Sequence, residues 1–162
     1  MFINGFDILS DEIDDYVADI QSIRSIDQFM FNKPVTFFCG ENGSGKSTLL
    51  EALAIKNGLN PEGGTRNYNF STYDSYSNLH KHMRLWRSRK PDWMYFLRAE
   101  SFYNVATKEM EYSGVFSERY HDQSHGQSFF SVLMKQTNKN GLYLLDEPEA
   151  ALSCQNQLAL LY

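Results

Sequence analysis

The spacing of apolar residues changes several times along the chain, and each change marks a predicted element. Residues 35–39 (VTFFC) form a short β-rich run that ends at Gly40, which predicts a buried strand. After Gly45, KSTLLEALAIKNG places Leu49, Leu50, Leu53 and Ala54 at helical spacing, with Gly58 as the stop. NPEGGTRNYNFSTYDS is rich in turn formers. SNLHKHMRLWRS puts Leu79, Met83 and Trp86 at helical spacing, which predicts a second helix. DWMYFLRAES follows Pro91 and reads as a strand, as does LYLLDEP, closed by Pro148. Residues 128–138 (SFFSVLMKQTN) predict a helix, Asn140-Gly141 a turn, and a last helix runs through Gln155 to the end. Near the N-terminus Ile13, Tyr16, Val17 and Ile20 fit a helix, while the flanking segments equally suit an antiparallel sheet.

Strands that alternate with helices, and that are continuously apolar, predict an α/β fold with a mostly parallel sheet covered on both faces. The 162 residues suit one domain, spanning 1–162, and 42% hydrophobic content is enough for a core. No internal repeat, low-complexity tract or linker divides it. No apolar run approaches a membrane span, and MFINGFDILSDE lacks the basic leader and apolar region of a signal peptide. Cys39 and Cys154 are too few for a disulfide framework and too far apart for a paired metal motif, so a reducing, cytoplasmic setting is expected.

The net charge of -5 argues against non-specific nucleic-acid binding by the whole surface. It leaves room for a local basic patch. Asp7, Asp11, Glu12, Asp14, Asp15 and Asp19 make residues 1–23 acidic, whereas Lys81, Arg84, Arg87, Arg89 and Lys90 make residues 81–90 basic. The plain reading of both runs is a solvated face.

Gly40-Glu41-Asn42-Gly43-Ser44-Gly45-Lys46-Ser47 matches GxxxxGK[ST] in full, directly after a predicted strand and opening a predicted helix. Its glycines let successive N–H groups turn inward as an anion nest, and the helix aims its positive end at the same point. Lys46 places a charge on the β- and γ-phosphates, and Ser47 can ligate Mg²⁺. Residues 142–147 (LYLLDE) form an apolar run ending in two acids. There Asp146 can hold a Mg²⁺-bound water, and Glu147 can polarise an attacking water. An adjacent Asp-Glu pair favours water over a second substrate as the nucleophile.

Residues 120–128 (YHDQSHGQS) pose a separate question, because HDQSH lies close to the zinc-peptidase pattern HExxH. A zinc helix needs both histidines on one face of a regular helix, with a third ligand elsewhere. Ser124 and Gly126 instead suit a loop entering a helix, and the apolar helical pattern begins only at Phe129. Ser124-His125-Gly126-Gln127 occupies the position, before a helix and upstream of the Asp-Glu pair, of the ABC-type signature usually written LSGGQ.

On these blocks the chain resembles the bacterial AAA/ABC-type ATPases whose signature reads SHGES or SHGQS. The resemblance rests on GENGSGKSTLLEALA, NPEGGTRNYNFST, FLRAESFYNVAT, QSHGQS and LYLLDEPEAALS. More distant relatives are the ATP-binding cassette and SMC-type P-loop ATPases. The resemblance implies a RecA-like α/β core with an N-terminal antiparallel β subdomain. It also implies a head-to-tail dimer holding two ATPs at its interface. By the same resemblance Asn42, Gly43, Ser44, Gly45, Lys46, Ser47 and Thr48 bind phosphates and Mg²⁺, with Lys46 and Glu147 catalytic and Asp146 a metal holder. Ser124, Gly126 and Gln127 act on the ATP of the other subunit, and Ala151, Leu152 and Ser153 resemble the loop that crosses between subunits. Arg24, in SIRSID, resembles an arginine that reaches the nucleotide, and Glu100 takes the place of a metal-associated glutamine.

Two departures bear on hydrolysis. The family continues past the Asp-Glu pair with another strand and a switch histidine, whereas His80, His82, His121 and His125 all precede Glu147, so a C-terminally incomplete fold is expected. Cys154 stands where the family usually has proline. The expected function is Mg²⁺-dependent ATP hydrolysis by a dimer, without membrane insertion, coupled to a process that the sequence does not specify, with an effector subunit or nucleic acid as candidate partners. The alternative is a nucleotide-gated dimerisation module with little turnover.

Overall fold

The computed structural model describes residues 1–9, 13, 15–66, 76–101, 140–150 and 152–159. Within them the chain runs β1 (Ile3–Ile8), a 3-10 turn (Tyr16–Asp19), α1 (Gln21–Arg24), β2 (Gln28–Met30) and α2 (Lys46–Lys56). A second 3-10 turn (Asn78–His82), β3 (Met83–Arg87), β4 (Trp93–Arg98), β5 (Gly141–Asp146) and α3 (Cys154–Ala159) follow. The architecture is mixed α/β.

The strands form two sheets. The first is antiparallel, in the order β2-β1-β3. Phe6 of β1 faces Phe29 and Leu85, and Ile8 faces Met83, so one face of this sheet is apolar. Asp7 and Trp86 lie on the other face, where the Trp86 indole N–H donates to Asp7 Oδ2 at 3.0 Å. The second sheet pairs β4 with β5 in parallel, from Trp93↔Gly141 to Arg98↔Asp146. Met94, Tyr95, Phe96 and Leu97 are all buried, which is why β4 reads as continuously apolar. Gly64 pairs with Phe96 across the other edge of β4 through two backbone hydrogen bonds.

The central helix α2 joins the sheets. Leu49, Ala52, Leu53 and Ala54 are buried in one core with Phe6, Ile8 and Met83 from the first sheet and Met94, Phe96 and Leu144 from the second. Asn57 ends the helix, and Gly58 follows in the left-handed region at φ 76°.

Three sequence expectations are corrected or completed here. Residues 35–39 form no strand, and they are largely exposed: Val35 is 68% and Phe37 84% accessible. No described strand runs beside them, and β propensity is realised only on a pleated surface with neighbours. The helix expected over Leu79, Met83 and Trp86 is instead a 3-10 turn followed by β3. There the alternation of Met83 and Leu85 against Arg84 and Trp86 outweighs the accidental helical spacing, because β1 is at hand to pair. At the N-terminus both readings hold in part, with a sheet from β1 and β2 and short helical turns between them. The helix expected over residues 128–138 lies outside the described residues. No described helix is long and apolar enough to cross a membrane.

Asp15 fastens the two 3-10 turns together. Its Oδ1 accepts from the Val17 N–H at 2.7 Å, and its Oδ2 accepts from the Asn78 N–H at 2.8 Å. One carboxylate thus caps two helix starts separated by more than sixty residues. Asp15→Ala is expected to destabilise the fold by about 2 kcal/mol, the sum of two caps worth about 1 kcal/mol each. Asp15→Asn, which keeps one carbonyl acceptor, is expected to lose about half of that. Urea unfolding of the two variants beside the parent chain measures both.

Candidate functional site

The glycine-rich loop enters α2 through Gly45, whose φ is 85°. A Cβ there would lie 2.9 Å from Ile23 Cδ1 and 3.0 Å from Ile20 Cγ2, so glycine is required by both backbone and packing. Gly43 also has a positive φ, 79°, but a Cβ there meets nothing within 4 Å. Its freedom serves the curl of the loop alone. From below, Ser22 of α1 donates its hydroxyl to the Ser44 carbonyl, which ties the N-terminal segment to the loop.

A cavity of about 350 Å³ opens over this loop, lined by Tyr16, Ile20, Asn42, Gly43, Gly45, Lys46, Ser47, Thr48 and Glu147. The Lys46 ammonium donates to the carbonyls of Gly40, at 2.9 Å, and Glu41, at 2.8 Å. It is held over the loop by neutral acceptors, which an anionic ligand can replace. Ser47 Oγ donates to Asp146 Oδ1 at 3.0 Å, so the start of α2 meets the end of β5 across ninety-nine residues of sequence.

Asp146 is buried, and burial raises its pKa above the ordinary carboxylate value. The hydrogen bond from Ser47 and the charges of Arg98 and Lys46 oppose the rise, and Glu100 adds to it. A hydroxyl and a buried carboxylate at hydrogen-bond distance are hard oxygen donors, and they fit Mg²⁺, which keeps most of its own water and takes few protein ligands. Among the described residues no group of three or more His, Cys, Asp or Glu could hold a metal. Glu147 follows with φ 48°, an uncommon left-handed conformation for a glutamate, and its exposed side chain borders the cavity.

Of the residues singled out in the sequence, the structure brings Asn42, Gly43, Gly45, Lys46, Ser47, Thr48 and Glu147 around one cavity, with Asp146 hydrogen-bonded to Ser47. Ser44 turns its carbonyl to Ser22 and does not line the cavity. Arg24 is exposed at the end of α1, and it does not line the cavity either. Glu100 has a 79% exposed side chain that faces Arg98 at 3.6 Å, and it does not line the cavity. Ser124, Gly126, Gln127 and the HDQSH stretch lie outside the described residues, as does Ala151. Leu152 is buried, and Ser153 is exposed.

Tyr16, Arg98 and Glu51 belong to the site without having been singled out in the sequence. Tyr16, 58% exposed, brings a ring to the cavity wall beside Ile20. Arg98, at the end of β4, donates to Glu51 Oε2 at 2.8 Å and lies 3.8 Å from Asp146 Oδ2. Glu51 is buried on α2, and its Oε1 also accepts from the Ser77 N–H at 3.2 Å. A guanidinium after an apolar run looks like a solvated strand end. Only the parallel pairing of β4 with β5 sets it level with Asp146.

Removing Arg98 leaves Glu51 buried without its cation. Arg98→Met is expected to cost about 3 kcal/mol, the low end for a broken buried pair because the arginine is partly exposed. Adding Glu51→Gln is expected to recover part of that loss, since the uncompensated charge then disappears. Thermal and urea unfolding of the single and double variants test this coupling.

A family model described as an AAA domain matches residues 18–83, a span covering α1, the glycine-rich loop and all of α2. No curated protein and no solved structure matches the chain significantly. The match spans less than half of the chain, and over that span the chain is similar to an AAA domain.

Proposed function

We propose that the domain binds ATP with Mg²⁺ in the cavity over the glycine-rich loop and hydrolyses it, working as an ABC-type head-to-tail dimer. The observation that supports the reading is the Ser47–Asp146 hydrogen bond, which joins a hydroxyl and a buried carboxylate at the cavity that Lys46 and Glu147 also line. Backbone N–H groups of the loop and the start of α2 receive phosphate oxygens. Lys46 exchanges its two loop carbonyls for β- and γ-phosphate oxygens. Mg²⁺, held by Ser47 and Asp146, offsets phosphate charge when bound. The Tyr16 ring and Ile20 offer the surface on that cavity wall for the base or ribose.

Hydrolysis needs a water to attack the γ-phosphorus while the bond to the β-phosphate oxygen breaks. Glu147 borders the cavity and is the carboxylate to take the proton of that water. Its backbone strain is consistent with a position fixed for use. In the dimer, Ser124, Gly126 and Gln127 grip the γ-phosphate of the partner's ATP, which makes closure depend on the triphosphate.

Lys46→Ala is expected to weaken ATP binding by about 2 kcal/mol, the value of a lost charged hydrogen bond. Equal affinities in a calorimetric titration with Mg²⁺ would sink the assignment. Tyr16→Ala is expected to weaken ATP roughly tenfold through lost aromatic contact while leaving the affinity for inorganic triphosphate unchanged. Glu147→Gln keeps shape but removes the base, so it is expected to trap ATP and shift monomer to dimer in light scattering. Adding Ser124→Arg should return that variant to monomer in saturating ATP; a dimer indifferent to Ser124 or to ATP would refute the trans arrangement.

A further inference from the structure

On the far side of α2 from its phosphate end, a second cavity, of about 510 Å³, runs along β3. Lys56, Lys81, His82, Arg84 and Arg87 line it together with Leu9, Met83 and Leu85, and no acidic residue does. That is a concentration of one charge sign in a chain whose net charge is -5. Among the described residues β3 is an edge of its sheet.

Part of this charge has a structural use. Lys56 is in the last turn of α2, where a cation complements the helix dipole. Arg87 donates to the Lys56 carbonyl and so caps the same helix end. A charge on an edge strand also discourages pairing with other chains. These uses account for the positions of Lys56, Arg84 and Arg87 one at a time. They do not account for their convergence with Lys81 around one concave surface. No ion pair or side-chain hydrogen bond neutralises Lys56, Lys81 or Arg84 among the described residues. Asp7 lies opposite Arg84 in the β1–β3 register, with its Oδ2 taken by the Trp86 indole, and no acid lines the cavity itself. Like charges gathered there repel one another, and an anion relieves that repulsion.

The uncharged part of the lining narrows the ligand. Leu9, Met83 and Leu85 are aliphatic, and no Phe, Tyr or Trp lines the cavity to stack on a base. The charges are spread along an open strand, so they suit a chain of phosphates better than one compact anion. We infer that the cleft along β3 binds the phosphodiester backbone of nucleic acid, held by charge and without reading of base identity. Lys81 and Arg84 are exposed and supply direct phosphate contacts, whereas Arg87 and Lys56 form the anchored floor.

The experiment is a fluorescence-anisotropy titration of the nucleotide-free chain with a labelled 30-base-pair DNA duplex and a single-stranded RNA, across a salt series. Neutral double replacement, Lys81→Gln with Arg84→Gln, is expected to weaken binding on the order of tenfold. It should also flatten the slope of log affinity against log salt by roughly 2 on duplex DNA. Base sequence should make no difference. Lys33→Gln, an exposed cation outside the cleft, and Lys46→Ala, at the glycine-rich loop, should bind as the parent does. Thermal melting confirms that each variant is folded. Loss of binding confined to the cleft variant supports the proposal, with the DNA and RNA arms telling which polymer it prefers. No binding of either polymer at low salt would overturn it, as would binding that ignores Lys81 and Arg84. So would capture of inorganic polyphosphate but neither nucleic acid. Lys46→Ala losing nucleic acid as fully as the cleft variant would move the site to the loop and overturn it as well.

Discussion

Two buried carboxylates, Glu51 and Asp146, lie within reach of one guanidinium, Arg98, and the arrangement of the site follows from that constraint. Glu51 belongs to α2, Asp146 to β5 and Arg98 to β4. A buried carboxylate is costly unless it is paired and hydrogen-bonded. Glu51 is both, through Arg98 and the Ser77 N–H. The pairing fixes how α2 lies against the parallel sheet, and that angle in turn brings Ser47 to Asp146. The Ser47 hydroxyl and the burial of Asp146 act in opposite directions on the same carboxyl. The acid is therefore protected from bulk water while keeping one oriented donor.

A second constraint works from the N-terminal side. Ile20 and Ile23 press under Gly45, and Ser22 holds the Ser44 carbonyl. The loop thus rests on a segment that comes before it in sequence. That segment is pinned by Asp15 to the start of the second 3-10 turn, which leads into β3. The antiparallel sheet and the glycine-rich loop are consequently parts of one packed body, and the core residues of both sheets meet on α2.

What the sequence made legible is what local chemistry decides. Gly45, Lys46 and the helix after them follow from a motif whose residues each have a backbone or charge reason. Trp93–Arg98 was readable as a strand because burial on both faces leaves a continuous apolar run, and Gly141–Asp146 carries a similar run although only Leu144 and Asp146 in it are buried. β3 was misread because Leu79, Met83 and Trp86 satisfy a helical period, and its partner β1 lies about eighty residues earlier in the chain. Local spacing carries no trace of such a pairing. Arg98, Glu51 and Tyr16 were invisible for the same reason. Each gains its role only from a neighbour brought close by the fold.

The exposed run at residues 35–39 has a practical consequence. Val35 and Phe37 point into solvent from a segment with strong β propensity, no charge and no proline. Such a stretch invites strand pairing between molecules, and the pairing grows with protein concentration and with salt that screens the net charge. Handling of the chain is therefore governed by colloidal behaviour at this one surface as much as by folding. A Lys or Glu at position 37, in the middle of the apolar run, would interrupt it without touching the glycine-rich loop.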